Sequence, residues 1–147
     1  MMITYKLNTA SKDELSRHII QSNVDHMIEV RGETRQYAQK LVQYAMRFEA
    51  WDRNALVGLV AAYVNDLIKR ESYITLLCVN PLYTNQKVAS NLLTHVVDYV
   101  KKMNFVKINL KVNQNNKIAL KLYQNFGFVP IKTVTPKIFM SKPINEK

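Results

Sequence analysis

The spacing of apolar and polar positions changes period several times along the chain, and each change marks an element. Residues 3–7 have strand character. Ser11-Lys12-Asp13-Glu14 follows as a capping box, in which a hydroxyl accepts the backbone N–H three residues on and the glutamate there reaches back. It predicts a helix to about Ser22. A second helix is predicted over residues 33–44, with Tyr37, Leu41 and Tyr44 on one stripe, while residues 23–32 carry no decisive pattern. Two apolar, β-rich runs at residues 46–51 and 56–64 are separated by Asp52-Arg53-Asn54, a hairpin signal. After a turn over residues 65–71, residues 73–79 are apolar nearly throughout, which predicts a central strand covered on both faces. Asn80-Pro81 ends it.

From residue 85 to residue 103 the period becomes helical, with Val88, Leu92, Val96 and Val100 joined by Ala89, Leu93 and Val97. Val106, Ile108, Leu110 and Val112 then alternate with Lys107, Asn109 and Lys111, a strand with one wet face. Residues 115–125 predict a short helix with Ala119, Leu122 and Tyr123 inward, stopped by Gly127. Residues 128–134 and 137–140 close the chain as strands around Pro136. The order β-α-α-β-β-β-α-β-α-β-β combines antiparallel hairpins with one strand–helix–strand crossover over residues 73–112. With no repeat, low-complexity tract or linker, residues 1–147 are expected to form a single α/β domain.

Composition narrows the function. At 147 residues, 48% hydrophobic and 22% charged, the chain suits one globular domain. A single cysteine, Cys78, excludes an internal disulfide and a multi-cysteine zinc site, so no metal is expected. The longest apolar run, residues 55–64, is too short to span a bilayer, and the N-terminus lacks the pattern of a signal peptide. A cytoplasmic protein with no membrane partner is expected. Three glycines, Gly32, Gly58 and Gly127, cannot spell G-x-G-x-x-G or a P-loop. The net charge of +10 is lopsided: residues 101–147 hold ten lysines against Glu146 alone. That surplus invites an anionic ligand. Nucleic acid is set aside as the partner, because the surplus contains no arginine and no aromatic and basic stacking platform is evident.

Two segments of the crossover carry candidate chemistry. The first is a strand, then Val79-Asn80-Pro81-Leu82-Tyr83-Thr84-Asn85-Gln86-Lys87-Val88-Ala89-Ser90, then a helix. A strand that feeds a helix through a polar turn presents unpaired N–H groups at the positive end of the helix dipole, which suits a phosphate. The second is Asn116-Lys117-Ile118-Ala119-Leu120-Lys121-Leu122-Tyr123-Gln124-Asn125-Phe126-Gly127-Phe128. Read alone, its Tyr123 is a core aromatic sooner than a functional residue.

Together, V-x-P-x-Y, a polar turn, a helix, a strand and N-x-x-A-x-x-L-Y-x-x-x-G-F resemble the GNAT N-acetyltransferase superfamily over residues 73–128. That family usually writes its first motif Q/R-x-x-G-x-G/A. Here Thr84 stands for the Arg or Gln, Lys87 for a Gly, and Ala89 conforms. The resemblance implies a central mixed, mostly antiparallel sheet with helices on both faces and two splayed parallel strands. It implies acetyl-CoA as cosubstrate, with the pantetheine arm near Cys78 and Val79 and the pyrophosphate on amides of Asn85, Gln86, Lys87, Val88, Ala89 and Ser90. It further implies Asn116 beside the pantetheine and Tyr123 as the acid facing the thioester sulfur. Asn85 tolerates a left-handed backbone, and Lys87 fits if its side chain points outward.

The general base is left unassigned. The family often places a carboxylate early on the strand entering the cofactor turn, which falls near Tyr73; Glu71, Glu49 and Asp66 are candidates against ordinary turn or surface carboxylates, beside a water relay. His95 with Asp98 reads as a surface pair, Cys78 as a buried inert thiol, and His18 and His26 as histidines without visible partners. The activity expected is direct acetyl transfer to a primary amine of a small molecule, with a protein N-terminus or lysine as alternative acceptors. Residues 23–45 and the turn at 65–71 are expected to meet the acceptor. The rival from another class is a CoA-binding sensor without turnover, and a homodimer is left open.

Overall fold

The computed structural model describes residues 2–22 and 31–144. In chain order the elements are β1 (Thr4–Leu7), α1 (Lys12–Gln21), α2 (Arg31–Tyr44), β2 (Met46–Asp52), β3 (Ala55–Tyr63), β4 (Glu71–Val79), a 3₁₀ turn (Pro81–Gln86), α3 (Val88–Lys102), β5 (Lys107–Asn113), α4 (Lys117–Asn125), β6 (Val129–Val134) and β7 (Lys137–Pro143). The strands form one seven-stranded sheet in the order β1-β2-β3-β4-β5-β7-β6. β4 and β5 run parallel, while β1–β2, β2–β3, β5–β7 and β6–β7 are antiparallel. This is the mixed α/β arrangement expected. The chain divides into two compact units, one of Met1–Ala62 with Leu76–Val96 and one of Tyr63–Thr75 with Val97–Lys147.

In the first unit the capping box forms as predicted. Ser11 Oγ accepts the Glu14 N–H at 3.1 Å, and Glu14 Oε1 accepts the Ser11 N–H at 2.9 Å. α1 buries Leu15, Ser16, His18 and Ile19. The stripe predicted for α2 is rotated. Thr34, Ala38 and Leu41 face inward, with Ala45 just beyond the helix, whereas Tyr37 is half-buried and Tyr44 is 60% exposed. Small residues let the helix backbone come close to its support, and the tyrosine at the last turn is left in solvent. The β2–β3 hairpin turns at Arg53-Asn54, with Arg53 at φ 58°. Residues 23–30, part of the expected acceptor region, lie outside the described residues.

In the second unit the parallel ladder pairs Glu71 with Lys107 through Ile74 with Leu110. Ile108, Leu110 and Val112 of β5 are buried, while Lys107 and Asn109 are half-buried and Lys111 exposed, the one wet face expected. β7 runs to Pro143, three residues past the predicted end, because its ladder with β5 continues that far.

Two expectations need correction. β4 is buried only at Ser72, Ile74, Leu76 and Cys78; Tyr73, Thr75, Leu77 and Val79 are half-buried, so its second face is only partly covered. The helix predicted from residue 85 begins at Val88, preceded by the 3₁₀ turn. Asn80 caps that turn by accepting the Leu82 N–H at 3.0 Å, Pro81 starts it, and Lys87 at φ 57° separates it from α3. A left-handed residue interrupts helical propagation, and apolar periodicity does not register such a break.

Candidate functional site

The strand-to-helix junction is built within the first unit. The Asn80 N–H donates to Val57 O at 2.8 Å, tying the end of β4 to β3, and the Tyr83 N–H donates to Asn80 O at 2.8 Å. Tyr83 O–H donates to Asp52 Oδ2 at 2.6 Å, and that carboxylate raises the phenol's pKa above its ordinary value. The Asn91 N–H closes the first α3 turn on Lys87 O at 3.0 Å, so the N–H groups of Val88, Ala89 and Ser90 lie ahead of it, at the positive end of the helix. Lys87, exposed, takes a left-handed conformation, which the sequence reading had noted only as tolerated at Asn85. It stands where the family motif has glycine, the residue that adopts this conformation without steric cost.

Upstream in the same unit, Cys78 is buried, and desolvation pushes its thiol up to about 12, against a smaller downward effect from the Ser22 hydroxyl. A thiol in that state is not a nucleophile at neutral pH. The Cys78 carbonyl lies 3.2 Å from His18 Nε2, and His18 is only 1% exposed. Sequence reading found no partner for His18. The partners lie 60 positions apart, and the one available signal was that His18 shares the inward face of α1 with Leu15 and Ile19.

In the second unit, Asn116 caps α4 by accepting the Ala119 N–H at 3.1 Å. Gly127 at φ 92° ends the helix, and the Phe128 N–H returns to Tyr123 O at 3.0 Å, closing the C-terminus as predicted. Tyr123 is 6% exposed, and its ring meets Phe128 edge-on at 5.6 Å. Lys117 and Lys121 on the same helix are exposed.

The candidate bases differ sharply. Glu49 is neither a turn nor a surface carboxylate: it is fully buried and accepts from Thr9 N, Thr9 Oγ1, Ala10 N and Trp51 Nε1, with Arg47 Nε 4.0 Å away. With its oxygens occupied it is a structural carboxylate that ties β1's exit to β2. Asp66 accepts the Lys69 N–H at 3.0 Å, an ordinary turn carboxylate. Glu71 accepts from Asn109 Nδ2 at 3.0 Å and lies 3.9 Å from Lys107. His95 is exposed, with its ring 5.2 Å from that of Tyr5. Among the described residues no helix is long and apolar enough to cross a membrane.

A parallel strand pair joined by a helix, followed by an asparagine-capped helix bearing a tyrosine, is the arrangement that the resemblance to acetyltransferases implied. The model of the acetyltransferase (GNAT) family matches residues 13–128, and the chain belongs to that family. Membership implies acetyl transfer from coenzyme A. Solved structures share the fold. PH1933 from Pyrococcus horikoshii OT3 is 20% identical, with a TM-score of 0.83 over 98% of this chain and 99% of that one. The PaiA N-acetyltransferase from Thermoplasma acidophilum, in complex with coenzyme A, is 18% identical, with a TM-score of 0.82 over 97% and 99%. The ribosomal-protein-S18-alanine N-acetyltransferase from Escherichia coli is 19% identical, with a TM-score of 0.77 over 97% and 94%. No curated protein matches the sequence.

Proposed function

We propose that residues 1–147 act as one acyltransferase domain that moves the acetyl group of acetyl-CoA directly to the primary amine of a small molecule. The observation that carries the reading is the junction after β4, where Lys87 takes a left-handed backbone at the position of the motif's glycine and the amides of Val88, Ala89 and Ser90 open α3. Those amides, with the backbone of Asn85, Gln86 and Lys87, hold the pyrophosphate, since several N–H donors at one point bind it without side chains. The pantetheine arm runs beside Cys78 and Val79, with Asn116 next to it. A coenzyme A complex among the shared folds, that of the PaiA enzyme, supports this cosubstrate.

The neutral amine attacks the thioester carbon, and the C=O π pair moves to oxygen. Collapse breaks the C–S bond, with the pair leaving on sulfur. The Tyr123 hydroxyl donates a proton to that thiolate as general acid, and the proton of the new ammonium passes to water. Cys78 takes no part, because its thiol stays protonated. A small-molecule amine is the acceptor proposed, with a protein N-terminus or lysine as the alternative that the assay below separates. A cytoplasmic location fits the unpaired Cys78.

The experiment is a panel of amines and N-terminal peptides assayed by release of the CoA thiol, alongside calorimetry of acetyl-CoA binding. Tyr123→Phe is expected to lower kcat about a hundredfold and to leave the calorimetric affinity unchanged. Turnover at the parent rate would remove the acid role. Binding without turnover on any amine would favour the sensor reading, and no binding at millimolar acetyl-CoA would remove both.

A further inference from the structure

We propose that His18 is a positioning residue for acetyl transfer: its hydrogen bond to the Cys78 carbonyl orients and polarises the Cys78–Val79 peptide, so that the Val79 N–H stabilises the oxyanion formed on the acetyl carbonyl. The inference rests on the acetyltransferase reading above and deepens it.

His18 lies on the inward face of α1, 1% exposed, with Nε2 3.2 Å from Cys78 O. A carbonyl only accepts, so Nε2 carries the proton. Desolvation lowers the ring's pKa below its ordinary value, against backbone hydrogen bonds with Cys78 and Leu56 that raise it. Ser22 Oγ is 3.3 Å from the same Nε2 and also hydrogen-bonds the Cys78 thiol. Two polar side chains one helical turn apart thus converge on a single residue at the end of the strand that enters the cofactor turn. Asn80, two residues on, is tied to Val57 O. The two peptides that flank Val79 are each held by one hydrogen bond.

The peptide is trans and planar, so its N–H points opposite to its C=O, away from His18. A hydrogen bond into an amide carbonyl strengthens donation from the N–H of the same amide, because charge moves along the conjugated unit. When the amine adds to the thioester carbon, the π pair becomes a full charge on oxygen. A donor already fixed in place stabilises that charge without reorganising. The collapse then expels the thiolate, as written above. A buried histidine is a polar residue in an apolar helix face, and the mechanism has no other use for it.

The test compares His18→Leu, which fills the space without a donor, with His18→Gln, whose side-chain N–H replaces that of Nε2. His18→Leu is expected to lower kcat about tenfold or more while the KM for acetyl-CoA stays within about twofold; His18→Gln is expected to recover most of the loss. A merely structural role would lower the melting temperature without separating kcat from KM. The parent protein gives a second measurement that needs no variant. The methyl ketone analogue of acetyl-CoA, with CH2 in place of the thioester sulfur, is expected to shift the Val79 amide proton downfield in NMR, whereas coenzyme A alone is not. An unchanged kcat in a folded His18→Leu protein, or a Val79 amide that ignores the ketone, overturns the role of His18 alone. A parent protein that fails to bind acetyl-CoA overturns the acetyltransferase reading with it.

Discussion

At the scale of single residues, Lys87 is a lysine held in a backbone conformation that glycine adopts without steric cost. A non-glycine residue in the left-handed region is strained by about 1–2 kcal/mol, and Lys87 sits there at φ 57° with its side chain in solvent. Lys87→Gly relieves the strain and loses part of the gain through the added freedom of the unfolded chain. The expected net is a stabilisation of about 0.5–1 kcal/mol, read from urea denaturation. The motif position of Lys87 was legible in the sequence and its conformation was not, because Asn85 is the better left-handed residue by local preference. Glu49 makes the complementary point. Its neighbours in the chain mark it only as a carboxylate on a strand, whereas its partners Thr9 and Ala10 come from about forty positions away.

At the scale of elements, local signals held where the physics is local. The capping box of α1, the asparagine cap and glycine stop of α4 and the alternation of β5 all depend on residues a few positions apart. The start of α3 and the buried face of α2 did not follow, since both depend on what packs against them. Gly58 of β3 is a case in point. A Cβ there would lie 2.5 Å from Val88 Cγ1, 3.2 Å from Leu92 Cδ1 and 3.3 Å from Ala50 Cβ. The first turn of α3 therefore rests directly on a strand with no side chain. Gly58→Ala is expected to cost about 1–3 kcal/mol by overpacking, and the double variant with Val88→Ala to lose less than the sum of the two changes. Equilibrium denaturation of the four proteins measures that coupling. Additive losses would mean that the strand moves rather than Val88.

At the scale of the molecule, two buried groups shape stability against pH. Burial lowers the pKa of His18 below its usual 6.5, so the unfolded chain takes up that proton first. This contribution is full above about 6.5 and is lost as pH falls from there toward the lower folded value. Cys78 acts in the opposite sense. Its thiol is pushed up to about 12 in the fold, so its contribution is full below the unfolded value of about 8.5 and is lost as pH rises toward the folded one. Denaturation midpoints are expected to form a plateau between the two limits, with the acid limb flattened in His18→Leu and the alkaline limb in Cys78→Ala. A limb that survives its variant would mean that other groups cause it. The +9 balance of residues 101–147, read from the sequence as an invitation to an anion, is borne in part by exposed lysines, Lys117 and Lys121 of α4 among them.

The sequence by itself determined the order of elements, the crossover, the capped helices and the family, because these follow from periods and spacings within short stretches. Only the tertiary structure decided that Lys87 carries the left-handed turn, that Glu49 is a buried structural carboxylate and that His18 holds the Cys78 carbonyl. Each of these depends on desolvation and hydrogen bonds between residues far apart in the chain, and such partners leave no mark on local pattern.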